Sequence, residues 1–117
     1  MAIPPKIWDN IIMSNTILIM HVTFPVNFDA QNVCNQLLNQ KLAACIQQSS
    51  PITSRYIWEG KTECSDEYTL IIKTTPDHCD AITQIILDTH PYDTPEILWF
   101  PATAHASYAE WVYESTR

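Results

Sequence analysis

Ser54-Arg55-Tyr56-Ile57-Trp58-Glu59-Gly60-Lys61 contains the only glycine in the chain, set between two strand-like segments. With eight prolines and a single glycine, the other reversals must be made by proline, asparagine and aspartate. A glycine kept at one place marks a tight turn that needs a positive φ. Ile52 to Trp58 and Tyr68 to Lys73 are rich in β-branched and aromatic residues. The sequence therefore predicts a long hairpin with its tip near Glu59-Gly60-Lys61.

Working outward, Thr16 to Phe24 reads as a strand, apolar in succession over Ile17 to Met20 and so expected to be buried on both faces there. Asn27 is placed to cap a helix whose apolar positions Ala30, Val33, Cys34, Leu37 and Leu38 recur at helical spacing. A second strand begins at Ala43 to Ile46, is interrupted by Pro51 and resumes to Trp58; a third runs from Glu67 to Thr74. Thr75-Pro76-Asp77 opens a second helix with the stripe His78, Ala81, Ile82, Ile85, Ile86 and Thr89, closed by His90-Pro91. Glu96 to Phe100 is a fourth strand, and Ala106 to Glu114 a final helix with Tyr108, Trp111 and Val112 on one face. The order β-α-β-β-α-β plus a terminal helix predicts an α+β, ferredoxin-like sandwich, two helices covering one face of a four-stranded sheet.

In that arrangement the uncovered face should alternate to polar if the protein stood alone. Strands one and four do not alternate, and one short terminal helix is too small to cover the face. Self-association is the expectation, because contiguous apolar patches of this kind mark interfaces.

The 117 residues suit one domain, here residues 14–117, with residues 1–13 read as an N-terminal extension, either disordered or clasping a neighbour through Ile7 and Trp8, and Met13 as an alternative start. A net charge of −7 with six Lys and Arg argues against nucleic acid as partner. The longest apolar run cannot span a bilayer, and no secretory signal is visible at the start. Four widely spaced cysteines without a C-x-x-C pair argue against a structural zinc cluster and for free thiols in a reducing cytoplasm. No G-x-S-x-G, Walker loop or H-E-x-x-H occurs, and Thr23 to Asn32 has no arginine for an acylphosphatase-type phosphate cradle, so an enzyme is not expected.

Several motifs resemble those of the CutA, or divalent-cation tolerance, proteins. They are Lys41-Leu42-Ala43-Ala44-Cys45, Thr53-Ser54 with Tyr56, Trp58, Glu59, Gly60 and Lys61, then Ile72-Lys73-Thr74. His90-Pro91-Tyr92-Asp93-Thr94-Pro95-Glu96-Ile97 and the pair Tyr108 and Trp111 follow in the same order. The resemblance implies a cytoplasmic homotrimer whose long hairpins reach across to neighbouring subunits. It also implies a part in tolerance to divalent metals, copper in particular, with a metal ion or small ligand bound at subunit clefts. The alternative is a PII-like trimeric signalling or scaffold protein that binds a small effector and regulates a partner; the scarcity of glycine and basic residues weighs against it.

The ligands proposed for copper in this family fall here on Val22, Thr89 and His90, so only His90 carries over. His21 and Cys45 complete the candidate metal set, a donor chemistry suited to Cu(I), Cu(II) or Zn. Against this stands the plainer reading of His90 as a hydrogen-bonded structural residue and of Cys45 as a packed, inert thiol. Lys73 and Glu96 are candidates for an ion pair within or between subunits, and Trp58 and Tyr92 for aromatic anchors at subunit boundaries.

Overall fold

The computed structural model describes residues 15–117, so the expectation for residues 1–13 lies outside the described residues. In chain order the elements are β1 (Thr16–Pro25), α1 (Gln31–Asn39), β2 (Cys45–Gln48), β3 (Ile52–Trp58) and β4 (Lys61–Thr74). A 3-10 turn (Pro76–His78), α2 (Cys79–Thr89), β5 (Ile97–Thr103) and α3 (Ala106–Ser115) complete them. The strands form one antiparallel sheet in the order β2-β4-β1-β5, and β3 also pairs with β4, beyond the end of β2.

The hairpin is built as its glycine suggests. Trp58 pairs with Lys61, leaving a two-residue loop in which Glu59 (φ 51°) and Gly60 (φ 78°) are both left-handed, the requirement of a type I′ turn. Gly60 is not alone in that region, however: Lys41 (φ 57°) also adopts it. There Lys41 N–H donates to Leu38 O (3.0 Å) and Leu42 N–H to Leu37 O (2.9 Å), the paired bonds of a Schellman C-cap on α1, with lysine where glycine is usual.

β4 differs from the expected Glu67 start. It is 14 residues long and begins at Lys61. Lys61 to Asp66 lack an apolar signature because β3 and the outer half of β4 project as an arm exposed on both sides, giving extents of 57 × 32 × 23 Å. β5 likewise runs on through Pro101, opposite Leu18, to Thr103. Proline is tolerated because β5 is an edge strand in the described sheet, so no ladder bond is lost on its outer side.

Helix starts also differ in detail. The Asp29 carboxylate, not Asn27, accepts from Gln31 N–H (2.9 Å) at the entry to α1. Leu38 is exposed, which narrows the α1 stripe to Val33 and Leu37. In α2 the buried positions are Cys79, Ile82 and Ile86, while Ala81 and Thr89 face solvent. The 3-10 turn supplies the phase change, since its tighter winding advances each residue further round the axis.

α1 and α2 cover one face of the sheet, over Leu18, Met20, Val22 and Phe24 of β1 and Tyr68, Leu70 and Ile72 of β4. On the opposite face α3 shields one end only, where Ala109 and Val112 pack on Ile17 with Ile19, Ala44 and Ala102. The rest of that face shows Leu98 (53% exposed) and Phe100 (42%) to solvent in the single chain. The arm adds Ile57 (73%) and Trp58 (46%).

Candidate functional site

The loop after α2 wraps round the end of β1 from the helix-covered face to the open one. His90 fastens it. Its ring stacks on Phe24 (centroids 4.4 Å, planes 19° apart). Nδ1 accepts from Tyr92 N–H (3.1 Å), so the ring proton sits on Nε2 and is donated to Thr23 O (2.6 Å). Burial lowers the His90 pKa, opposed in part by the bond to Thr23 and the nearby Glu67 charge. The imidazole is therefore a neutral strut with both nitrogens engaged.

So held, the loop forms one wall of a cavity of about 630 Å3 on the open face, at the base of the arm. Thr23, Ser54, Arg55, Tyr56, Trp58 and Glu67 line it from the sheet, and Pro91, Tyr92, Asp93, Thr94 and Glu96 from the loop. Glu67 is only 6% exposed. Its Oε2 accepts the Tyr92 hydroxyl (2.9 Å). The Tyr92 pKa is pushed up to about 12, first by burial, then by its bond to and the charge of Glu67, and by Tyr56. Tyr92 thus remains a hydrogen-bond donor throughout the physiological pH range. Tyr56 is fixed in turn by its bond to Ser65 Oγ (2.7 Å).

Four residues singled out in the sequence, Tyr56, Trp58, Tyr92 and Glu96, meet at this cavity. Glu59, Gly60 and Lys61 sit at the far tip of the arm. Lys73 makes no ion pair with Glu96; its ammonium lies 5.7 Å over the Tyr108 ring, which in turn contacts the half-exposed Trp111. Ser54, of the Thr53-Ser54 motif, joins the four at the cavity, whereas Glu67 and Thr23 were not singled out in the sequence. Glu67 is paired with Pro25 of β1 and Ile52 of β3, where the apolar part of β4 begins.

The expected metal set does not assemble within one chain. His21 and Cys45 share the open face, but β4 runs between their strands, which sets them two strand spacings, roughly 10 Å, apart. His21 packs edge-on against Phe100 (5.5 Å), and His90 stands at the end of β1 with no free nitrogen. Among the described residues no group of three or more His, Cys, Asp or Glu could hold a metal ion. Of the carried-over positions, Val22 is fully buried and Thr89 is exposed, its hydroxyl bonded to Ile85 O. Within one chain, the described residues do not offer a resident metal site.

The family model of the CutA1 divalent ion tolerance protein matches residues 18–115. The chain belongs to the CutA1 family. The divalent-cation tolerance protein CutA of Yersinia pestis (strain Pestoides F) is 40% identical over 103 residues, 87% of this chain and 86% of that protein. Among solved structures, the divalent ion tolerance protein CutA1 of Ehrlichia chaffeensis superposes with a TM-score of 0.78 at 38% identity, covering 86% of this chain and 95% of that one. The periplasmic divalent cation tolerance protein CutA of Archaeoglobus fulgidus gives 0.79 at 30%, covering 87% and 99%. These relatives share the α+β fold, and the CutA1 family is named for metal tolerance and for no reaction. Their names lend no support to the PII-like signalling alternative. No helix among the described residues is long and apolar enough to cross a membrane.

Proposed function

We propose that this CutA1 chain works as a cytoplasmic homotrimer in tolerance to divalent cations, copper among them, and that it meets a metal ion or small ligand at clefts between subunits. The observation that carries the assembly is the bare apolar surface of the open face and arm: Ile57, Trp58, Leu98 and Phe100 are each more than two-fifths exposed in the single chain. Patches of this kind on a folded subunit mark interfaces. The free state of all four cysteines supports a reducing compartment. The names of the relatives support the metal connection, and the cavity at the base of the arm supports a cleft.

Calorimetric titration with Cu(II) and Zn(II) tests the metal part. Weak binding to the wild-type protein is expected. His90→Ala is expected to leave that affinity within about twofold, because both ring nitrogens are already engaged by Thr23 and Tyr92. The same variant should lose about 2 kcal/mol of stability with its buried stacking and hydrogen bonds. Absence of any copper or zinc heat would remove direct metal binding from the account. Loss of copper binding in a folded His90→Ala would make the imidazole a ligand after all.

A further inference from the structure

A nearly buried carboxylate without a charged partner attracts a cation, and where one of its oxygens still meets solvent a ligand can reach it. Glu67 is in that position. It is 6% exposed, and the Tyr92 hydroxyl on Oε2 is its only side-chain hydrogen bond among the described residues. Arg55 is the one cation in the described lining, and no ion pair joins it to Glu67. Asp93 and Glu96 add two more acids, so the lining is negative on balance.

Three aromatic side chains, Tyr56, Trp58 and Tyr92, share the lining with this carboxylate. Ring faces attract cations through their quadrupole, most strongly where water is excluded, and a carboxylate beside them neutralises and orients the charge. A cavity of about 630 Å3 falls within the size of small-molecule pockets. A metal ion would instead need several converging donors, and the described residues offer no such group. An anion would meet three carboxylates.

The geometry points to this cavity as a binding site for a small organic cation, an ammonium group on an apolar body, held by Glu67 and by the rings of Tyr56, Trp58 and Tyr92. The ammonium donates to the free oxygen of Glu67 and the apolar body lies against the rings. The Tyr92–Glu67 bond fixes the carboxylate, and His90 fixes the loop that carries Tyr92. This inference deepens the reading of a ligand cleft; its parts come from one chain, although Trp58 also belongs to the surface proposed to meet a neighbouring subunit.

Phenethylamine, an ammonium on an aromatic body, and 3-phenylpropionate, an anion of similar shape, serve as probes in calorimetric titrations of the full chain. Phenethylamine should bind, with phenylpropionate weaker by about tenfold or more, the worth of one charge-assisted hydrogen bond. Glu67→Gln keeps the acceptor for Tyr92 but drops the charge, and should weaken phenethylamine by a similar factor. Tyr56→Ala, exposed on the arm and away from the core, should weaken it about threefold through the lost ring face, and carries the test if Glu67→Gln does not fold. Equal binding of acid and amine, unchanged binding in both folded variants, or no amine heat at all would overturn the inference. Light scattering on the same samples separates the two readings: a trimer indifferent to phenethylamine sinks this one alone, and a monomer that binds it sinks only the assembly.

Discussion

Phe100→Asp is expected to dissolve the proposed trimer into folded single chains. In one subunit the substitution is cheap. Phe100 is 42% exposed, and its one ring contact among the described residues is edge-on with His21 at 5.5 Å, so an isolated subunit should lose no more than about 1 kcal/mol. Between subunits the same change places an unpaired carboxylate in an apolar interface, which costs several kcal/mol, and symmetry repeats it at each copy. The neighbouring Leu98 is 53% exposed and belongs to the same apolar face. Light scattering with circular dichroism reads both halves of the expectation. A variant that remains a trimer would show that the open face lies outside the interface.

Phe24→Ala should have the largest effect on the fold itself, lowering stability by about 3–5 kcal/mol in denaturant titration. Phe24 is wholly buried at the end of β1 and stacks on three rings: Phe28 (4.8 Å), Tyr68 (5.9 Å) and His90 (4.4 Å). Removing it leaves a cavity that these rings cannot all close at once, and it loosens the His90 strut under the 91–96 loop. Leu38→Ala, by contrast, alters a position that is 41% exposed on α1 and should cost under about 1 kcal/mol. Comparable losses from the two would mean that the rings around Phe24 do not form the packed node described here. Weakening of phenethylamine binding in a still-folded Phe24→Ala would further tie this node to the cavity.

Elements whose burial is one-sided or two-sided along their whole length were legible in the residues alone. β1 and α1 announce themselves through apolar spacing, and Glu59-Gly60 marks the hairpin tip because few residues tolerate a left-handed backbone. The outer half of β4 was not legible, since a strand exposed on both faces need not alternate, and the apolar pattern begins only near Glu67. Nor could spacing reveal that Asp29 takes the capping role of Asn27, or that an edge position lets β5 carry Pro101.

At the site the limit is of another kind. His90 beside a proline reads more plainly as a strut than as a metal ligand, and the partners of its two nitrogens decide for the strut. Tyr56, Trp58, Tyr92 and Glu96 stood out as family motif residues, but their convergence depends on the loop turning the end of β1. Glu67 was passed over because an acid in a polar stretch looks solvated until the fold shows it buried against Tyr92.

The most direct test of the assembly is the mass of the full chain in solution at micromolar concentration, by light scattering. The account predicts about three times the 13.4 kDa of one chain, unchanged on moderate dilution because the interface is apolar. A stable species of 13.4 kDa, folded and monodisperse with Leu98 and Phe100 open to water, would contradict it.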